Sequence, residues 1–385
     1  EGEVSLKIIK IELTKNIDKK EFIKNIGFVS EVILDFSVKN STLIVKVSDN
    51  ADENQVEHDL KLYAEKFILP DKDKIIYHYN DSTRHYNDVF NKYKQCFHDF
   101  GCGNIALSGA AEFLFRFFDE KFERIAMEHN AHCKVYPTLL PVDAYKKTGY
   151  LKHSPQYAMF CCSTFEDMSN LENLDKNIDA YNWSSVLKDP IHALSPSACF
   201  HTYLEYENMT LDTNSVVTFN QNVFRNEGRF NYSEIGRLMG YHVREIVMIG
   251  SADFVSNIRK RILDTVIILL KQWKMCAKVC VAFDPFIIPK MQKFKKIQKS
   301  EELKYEIRLN CSNEHEISVA SFNLHGSAFT SPFNIKIANI DNTVTGCIGF
   351  GLERWVIAFI SQFGIDINNW PDEIKNAYKK EQKDE

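Results

Sequence analysis

The sequence lacks the features that would point to a secreted, membrane-bound or disulfide-linked protein. Its ten cysteines form no Cys-x-x-Cys pair, a pattern typical of reduced intracellular thiols, most of them small buried side chains. No apolar run is long enough to cross a bilayer, and the first residues show no signal-peptide pattern. We therefore expect a cytoplasmic protein that does not engage a membrane.

Positive charge is not in excess either. Lysine and arginine number 47 against 52 acidic residues, which gives a formal net charge of -5. This balance argues against the broadly basic surface of most tRNA- or DNA-binding proteins, although it allows a local basic patch. Internal repeats and long heptad arrays are also missing, so the sequence predicts no long helical arm.

The first feature that is present is a small α/β unit. Residues 4–13 alternate apolar and polar side chains as a half-buried strand does, and "KKEFIKNIGF" predicts a short helix ending near Gly27. Two strands, "SEVILDFSV" and "STLIVKV", follow with a turn at Asn40, and "ADENQVEHDLKLYAEKF" predicts an amphipathic helix. These patterns indicate a βαββα domain over residues 1–72, with "PDKDK" as the linker to a second domain over residues 73–385.

The second domain combines long helical patterns with strands of antiparallel type. "AAEFLFRFFDEKFERIA" and "FVSNIRKRILDTVIILLKQW" place apolar residues at helical spacing. In contrast, "REIVMIG", "AKVCVAF", "KYEIRL" and "EISVASF" are typical of strands. The predicted fold class is therefore α+β, with a central antiparallel sheet.

Two segments of this domain carry residues suited to phosphate chemistry. In "VFRNEGRFNYSEIGRLMGYHVREIVMIG", Arg225 and Glu227 share one face at the end of a predicted strand. A second strand, after a polar loop, carries Arg237, Tyr241 and Glu245. Arginines near the tip of such a hairpin can hold a polyphosphate in bidentate fashion, although an ordinary charged hairpin would have the same pattern. The other segment, "TGCIGFGLERWVIAF", fits neither the Rossmann nor the Walker fingerprint.

Together these segments resemble the class II aminoacyl-tRNA synthetases. "FRNE" followed by Arg-x-x-x-aromatic resembles their second motif, "GFGLER" before a helical run resembles their third, and Pro137 in "KVYPTLLP" matches the proline of their first. A narrower resemblance, over roughly residues 102–371, is to the amino acid:[carrier protein] ligases, relatives of the atypical zinc-dependent seryl-tRNA synthetases. It depends on "TGYLKHSPQY", "LSPSACFHTY", "IGRLMGYHVREIVMIG", "SFNLH" and "CIGFGLERW". The resemblance implies an antiparallel sheet flanked by helices and a homodimer.

The resemblance also implies how ATP is held. Arg225 would bind the α-phosphate and the amino acid carboxylate, offsetting the charge that builds up as the carboxylate attacks phosphorus. Arg354 would grip the γ-phosphate, Tyr241 would stack on adenine, and Glu227 would hydrogen-bond the nucleotide. Glu316 would hold Mg²⁺ between phosphates, with a solvated strand carboxylate as the alternative. The predicted ATP-binding residues are Arg225, Glu227, Arg237, Tyr241, Glu316 and Arg354, of which Arg225 and Arg354 are the predicted catalytic pair.

A zinc site is the second implication of the resemblance. The positions that match the family's ligands are Cys199, Glu245 and Cys347. Three protein ligands leave the fourth zinc position open, and here it would take the neutral α-amino group of a small amino acid. The alternative is that both thiols are ordinary core cysteines. Asn323 would line the amino acid pocket or be a buried structural amide, and His325 receives no role.

Three hypotheses for the function of the chain differ in whether an activated amino acid is formed and in which molecule accepts it. The resemblance implies an AMP-forming ligase that passes the amino acid to the phosphopantetheine thiol of an acyl or peptidyl carrier protein and uses no tRNA. The alternatives are a seryl-like tRNA synthetase with an unfamiliar N-terminal tRNA-binding domain and a non-catalytic regulatory protein. The intact Arg225, Glu227 and Arg354 argue against loss of catalysis. The basic stretch 289–304 would dock an acidic carrier or be a solvated helix.

Overall fold

The buried side chains of the described residues form two hydrophobic cores, one in a small N-terminal domain and one in a larger domain. The computed structural model describes residues 6–13, 19–65, 74–176, 183–284 and 292–384. Buried residues between Ile9 and Ala64 form the smaller core, and those between Val89 and Ile374 form the larger one. The predicted boundary between residues 72 and 73 lies outside the described residues and stays a prediction.

The described part of the N-terminal domain is a three-stranded antiparallel sheet with two α-helices. Its elements are β1 (Lys7–Glu12), α1 (Lys19–Asn25), β2 (Ile33–Lys39), β3 (Thr42–Val47) and α2 (Glu53–Ala64). The strand order is β1-β3-β2. Asn40 takes a left-handed φ of 57° in the two-residue turn between β2 and β3. Asp52 caps α2 by accepting a hydrogen bond from the Gln55 amide at 3.2 Å. The predicted βαββα order is confirmed.

The larger domain is built around one central β-sheet. Its strands are β4 (Ile75–Tyr79), β5 (Phe97–Gly101), β6 (Asn104–Leu107), β7 (His132–Cys133), β8 (Leu139–Pro141), β9 (Met159–Cys161), β10 (His192–Leu194), β11 (Thr210–Leu211), β12 (Ser215–Phe224), β13 (Gly240–Gly250), β14 (Ala277–Val281), β15 (Lys304–Asn310), β16 (Glu316–Gly326), β17 (Lys336–Ile337) and β18 (Val344–Gly351). Within the described residues, eight of these strands form the central sheet in the order β4-β14-β15-β16-β18-β13-β12-β7. All its neighbouring strands are antiparallel except β7 and β12.

Helices connect these strands. They are α3 (Val89–Lys92), α4 (Ala110–Met127), α5 (Val142–Lys147), α6 (Tyr150–His153), α7 (Met168–Lys176), α8 (Phe200–Glu205), α9 (Ala252–Gln272), α10 (Gln292–Ser300), α11 (Leu352–Phe363) and α12 (Asp372–Asp384). The two long helices predicted from apolar spacing correspond to α4 and α9. No helix among the described residues has the length and apolar content needed to cross a membrane.

Helices α4, α9 and α11 cover one face of the central sheet. Phe122 of α4 stacks on Phe350 of β18 with ring centroids 4.1 Å apart. Gly346 of β18 lies against Val255 of α9, where an added Cβ would come within 2.7 Å of the valine side chain. Because side chains alternate along a strand, Cys347 faces away from these helices. The opposite face of the sheet is therefore the one that can carry a site.

The family resemblance implies a homodimer, and the motif that carries this implication, around Pro137, follows β7 at the edge of the sheet. Helix α4 leads into this strand, and the carbonyl of Pro137 accepts a hydrogen bond from the Gln221 side chain at 3.1 Å. Val135, between the strand and this proline, is 95% exposed, although valine is usually buried. The homodimer stays a prediction.

Candidate active site

The face of the sheet opposite to α4, α9 and α11 aligns polar residues from distant parts of the chain. On β18, Cys347 lies opposite Asn323 of β16, which in turn lies opposite Lys304 of β15. Two residues further along β18, Gly349 lies opposite Glu245 of β13. Directly opposed residues share a face of the sheet, so these side chains border one common cleft.

Two thiols and an imidazole converge at this face. The Sγ atoms of Cys199 and Cys347 and a ring nitrogen of His325 all lie within 4.8 Å of one another. Nε2 of His325 is 3.3 Å from the Sγ of Cys347. Cys199 reaches the cluster from the residue before α8, where its Sγ is 3.3 Å from the Ser197 hydroxyl. Thiolate and imidazole donors are those that zinc prefers, so the residues present fit this metal.

The carboxyl group of Glu245 adjoins this cluster without joining its tight core. The Cys347 thiol donates a hydrogen bond to it, while burial and the neighbouring Cys199 hold the pKa of Glu245 well above its ordinary value. The hydrogen bond to Cys199, followed by burial, raises the pKa of Cys347 well above its usual range. Two thiols and a carboxyl group buried together cannot all ionise without a compensating positive charge. The electrostatics of the cluster therefore suit a divalent cation.

The structure brings the three predicted zinc ligands close together, but it adds a fourth residue that the sequence did not predict. Cys199 and Cys347 are together, Glu245 is beside them, and His325, to which the sequence assigned no role, stands in the closest group. Asn323, expected in the amino acid pocket, donates from its amide to the Sγ of Cys347 at 3.5 Å. His325 lies at an irregularity in the pairing of β16 with β18, between Leu324 and Gly326, and its side chain contacts the same thiol as that of Asn323. The spacing of two residues between Asn323 and His325 was the sequence signal that could have found His325, because residues at this spacing share a face of a regular strand.

Glycine at position 349 makes room for the Glu245 carboxylate. A Cβ at Gly349 would lie 2.7 Å from Oε2 of Glu245, closer than real contacts of this kind. We expect Gly349→Ala to push the carboxylate aside and to lower zinc affinity by roughly 10- to 100-fold. Competition with a chromophoric chelator measures this affinity.

A glycine two residues further along the same strand offers a matched control. A Cβ at Gly351 would contact the Tyr241 ring at 3.3 Å and the Arg354 side chain at 3.5 Å, away from the thiols. Gly351→Ala should therefore leave zinc affinity unchanged. An unchanged affinity in Gly349→Ala as well would contradict the placement of Glu245 beside the metal.

The residues predicted to bind ATP gather where β12 and β13 separate. The sequence placed Arg225, Glu227 and Arg237 on strands, and this is wrong: all three lie in the connection between Phe224, the last residue of β12, and Gly240, the first of β13. The physical reason is a change of backbone partner. The Arg225 amide still donates to the Met239 carbonyl at 2.8 Å, but the next amide donates to the Tyr157 carbonyl instead of the opposite strand.

Glu227 lies at the centre of an ionic network in this connection. It is only 5% exposed and accepts a hydrogen bond from Arg237 Nη1 at 3.1 Å. Its other oxygen is 3.8 Å from Arg354 Nη2. Three of the residues predicted for ATP are thus brought together, and the two arginines balance the buried carboxylate.

Arg225 stands close to this network with fewer partners. Its Nε donates to the carbonyl of Pro196 at 2.9 Å, and its guanidinium lies about equally far from the rings of Tyr157 and Tyr241, at 5.9 and 6.0 Å. Among the described residues, no carboxylate lies within 4.0 Å of it. Its guanidinium therefore retains donors that an anionic ligand can use.

Arg354 packs on Tyr241 in a way that bears on adenine binding. The Arg354 guanidinium carbon is 4.4 Å from the centre of the Tyr241 ring. Its Nε is buried without a hydrogen-bond partner in the part of the chain that the structure describes, and its Nη1 is a long 3.4 Å from the Ser318 carbonyl. Unsatisfied donors of this kind suit a phosphate group. Because Arg354 covers one face of the ring, adenine can stack on Tyr241 only on the other face or after the guanidinium moves.

Glu316, predicted to hold magnesium, is already engaged in ion pairs. Its carboxylate is 2.7 Å from the Lys278 ammonium and 3.3 Å from Arg308. Burial opposes its ionisation, but these two partners outweigh burial and lower the pKa of Glu316. The carboxylate is therefore charged, as a magnesium ligand must be, and its magnesium role stays a prediction.

The basic stretch 289–304 divides into different environments. Lys304 points into the cleft rather than toward solvent and pairs with Asp284 at 2.8 Å and Glu306 at 3.2 Å. Lys295 of α10 lies over the Phe283 ring at 5.2 Å, with 15% of its side chain exposed. Residues 289–291 lie outside the described residues. Neighbouring acidic or aromatic groups hold these two lysines, and the docking role of the stretch stays a prediction.

Comparison with known proteins identifies two groups of relatives, although no protein-family model matches the chain. The chain is 29% identical over 261 residues to a type-2 serine–tRNA ligase of Methanococcus maripaludis, a match that covers 64% of this chain and 50% of the relative. It is 27% identical over 245 residues to amino acid–[acyl-carrier-protein] ligase 1 of Bradyrhizobium diazoefficiens, covering 63% and 74% of the two chains. The chain is therefore similar to class II seryl-tRNA synthetases of the type-2 kind and to an amino acid–[acyl-carrier-protein] ligase. It spans about half the length of the type-2 serine–tRNA ligases that it matches.

Similarity to solved structures supports the same fold. The crystal structure of the M. kandleri seryl-tRNA synthetase in complex with A. aeolicus tRNASec superposes with a TM-score of 0.72 at 20% sequence identity. The superposition covers 98% of this chain and 78% of that one. The predicted α+β class II synthetase fold with a small N-terminal domain is confirmed. Because almost the whole chain is covered, the likeness includes the N-terminal domain.

Proposed function

We propose that this chain activates a small amino acid with ATP as its aminoacyl adenylate and transfers it to the phosphopantetheine thiol of a carrier protein. The observation that carries the proposal is the pairing of two sites along β18. A cluster of metal-binding character lies at Cys347, and seven residues further along the chain Arg354 presents a buried Nε that has no hydrogen-bond partner among the described residues. An amino acid and a triphosphate would therefore meet over one strand.

The arginines are suited to the first chemical step. An oxygen of the amino acid carboxylate attacks the α-phosphorus of ATP, and the bond to pyrophosphate breaks. Arg225, whose guanidinium has no carboxylate partner among the described residues, would bind the α-phosphate and the carboxylate as negative charge builds up between them. Arg354 would hold the γ-phosphate of the leaving group, and Glu316 would hold Mg²⁺, which would offset the negative charge of the phosphates.

The cluster is suited to selecting a free amino acid. Cys199, Cys347 and Glu245 or His325 would hold zinc, which supplies a Lewis-acid site for an uncharged amine. Asn323 would orient Cys347 through its 3.5 Å amide contact and border the amino acid side chain. We infer a small amino acid because His325 and Asn323 both occupy the space beside the thiols.

The second step is attack of the carrier thiol on the activated carbonyl carbon. The bond between that carbon and the phosphate oxygen breaks, AMP leaves, and the thiol proton passes to solvent or to AMP. The relative from Bradyrhizobium diazoefficiens, whose name is amino acid–[acyl-carrier-protein] ligase 1, supports a carrier as acceptor. The net charge of -5 supports the same acceptor, because tRNA-binding proteins usually carry a broad basic surface.

Transfer of the amino acid to tRNA is the second candidate function. It is favoured by the matches to type-2 serine–tRNA ligases and by the likeness of the N-terminal domain to part of a synthetase crystallised with tRNA. The two candidates share the adenylate and differ only in the acceptor. They are therefore separable by one transfer experiment.

The transfer experiment supplies the enzyme with ATP and a radiolabelled amino acid that supports adenylate formation. Holo carrier protein and total tRNA are offered as acceptors in parallel. Apo carrier protein, which lacks the thiol, and periodate-oxidised tRNA, which lacks the 3′ diol, are the matched controls. We expect label on holo carrier protein only, in a linkage that neutral hydroxylamine cleaves. Label on intact tRNA and none on the carrier would replace the first candidate by the second.

A further inference from the structure

The connection between β12 and β13, which carries Glu227 and Arg237, is held at its tip by the N-terminal domain of the same chain. Arg229 is the main contact. Its Nη1 donates to the Gly27 carbonyl at 3.0 Å, and its Nη2 donates to the carbonyls of Ser30 and Ile33, both at 2.9 Å. One guanidinium thus satisfies three backbone acceptors around the turn that follows α1. This is the planar, multidentate recognition for which arginine, unlike lysine, is suited.

Apolar packing joins the same two parts of the chain. Phe230 packs against the N-terminal core, and its ring lies edge-to-face with that of Phe36, with the two ring centroids 5.4 Å apart. A Cβ on Gly27 would approach the Phe230 ring to 2.9 Å, and a Cβ on Gly228 would approach the Phe28 ring to 2.8 Å. Gly228 also has a left-handed φ of 90°. The close fit on both sides forms a seat for the tip of the connection, with no room for a side chain at Gly27 or Gly228 unless the neighbouring ring moves.

A series of ion pairs connects the N-terminal domain to the residues predicted to bind ATP. Lys24 of α1 is 2.9 Å from Glu234, Glu234 is 2.9 Å from Arg237, and Arg237 is 3.1 Å from Glu227. Glu227 is in turn 3.8 Å from Arg354. Although burial opposes the charge on Glu234, Arg237 and Lys24 lower its pKa to about 2. Glu234 is therefore charged at neutral pH, and its ion pairs with Lys24 and Arg237 join the N-terminal domain to the connection.

We propose that the N-terminal domain positions the ATP-binding connection, with Arg229 and Lys24 as the positioning residues. This inference rests on the proposed function for the identity of the nucleotide. Without the seat, the connection would have to order itself on binding ATP, and the lost conformational entropy would weaken affinity. The two residues touch neither substrate, so the effect falls on ATP affinity and not on the amino acid.

The test compares Arg229→Ala and Lys24→Met in the full-length chain. We expect each to raise the dissociation constant and the KM for MgATP by about tenfold, the effect of losing one or more charge-assisted hydrogen bonds. The KM for the amino acid should stay within a factor of about two. Hydrogen exchange of the backbone amides in residues 226–238 should become faster in both variants. Lys24→Arg, which keeps the charge, should restore wild-type values.

Lys61→Ala is the matched control, because among the described residues Lys61 forms its ion pair with Glu57 on its own helix, α2, and none with the connection. An equal loss of ATP affinity in this control would mean general destabilisation and would overturn the proposal. Unchanged ATP affinity and unchanged exchange in both Arg229→Ala and Lys24→Met would also overturn it. If Arg229→Ala fails to fold, Lys24→Met carries the same decision. Hydrogen exchange and direct ATP binding remain measurable even if no amino acid is activated, so failure of the proposed function is distinguishable.

Discussion

Cys347→Ala should yield a folded protein that retains little zinc and has lost amino-acid-dependent ATP–pyrophosphate exchange by at least roughly 100-fold. Cys347 is central to the cluster, because its Sγ is 3.3 Å from His325 Nε2 and 3.5 Å from the Asn323 amide. Removing it leaves Cys199 and the neighbouring donors without the geometry for tight zinc binding. Metal content by mass spectrometry and exchange with labelled pyrophosphate measure the two losses.

A second buried cysteine controls for general damage to the core. Cys96 is 4% exposed, as is Cys347, but lies outside the cluster. Cys96→Ala should keep both metal and exchange activity. If Cys347→Ala kept full metal and full activity, the cluster would be a group of core cysteines and the metal proposal would be wrong. A loss of activity with metal retained would instead indicate that the thiol supports the fold of the cleft.

Arg225→Ala should lower the exchange rate by roughly 10²- to 10³-fold while leaving zinc bound. The guanidinium is fixed by one hydrogen bond to the Pro196 carbonyl at 2.9 Å and keeps its other donors free of carboxylates among the described residues. Loss of these donors removes stabilisation of charge that develops only in the transition state, so kcat should fall more than KM rises. Steady-state exchange kinetics with varied ATP and amino acid separate the two effects.

Two further variants serve as controls for the Arg225→Ala result. Arg225→Lys keeps the charge but not the forked geometry, and should recover only part of the activity. Arg116→Ala removes a surface arginine that pairs with Glu112 and Glu381, and it should leave exchange unchanged. An Arg225→Ala enzyme with near wild-type kcat would show that this arginine does not act on the reacting phosphate.

The parts of the site that could be predicted from the sequence are those whose residues lie close together along the chain. The spacing between Cys347 and Arg354 is local, because a strand runs directly into α11, and the glycines mark where β13 side chains pass over it. His325 was missed because its contact with Cys347 depends on the register of β16 with β18, which no local pattern specifies. The loop between β12 and β13 was predicted too short for a similar reason. Its backbone hydrogen-bonds to the Tyr157 carbonyl, and Tyr157 is distant in sequence.

The N-terminal domain shows the same limit more strongly. Its strands and helices follow from alternation and helical spacing, and the βαββα order was predicted from them. Its contact with the ATP-binding connection could not be predicted, since Lys24 and Glu234 are 210 residues apart. The signal in the sequence was "NEGRF", in which a glycine precedes an arginine and a phenylalanine at the tip of a polar loop. Only the folded chain shows that these side chains enter the other domain.

The central claim is that this chain joins a free amino acid to AMP, and ATP–pyrophosphate exchange across the twenty amino acids tests it most directly. Each amino acid is compared with its N-acetyl derivative, which cannot offer a free amine to the metal. The account predicts exchange with one or two small amino acids and none with their acetylated forms. Exchange with no amino acid would contradict the claim of activation, and equal exchange with the acetylated forms would contradict the role of the metal cluster in holding the amine.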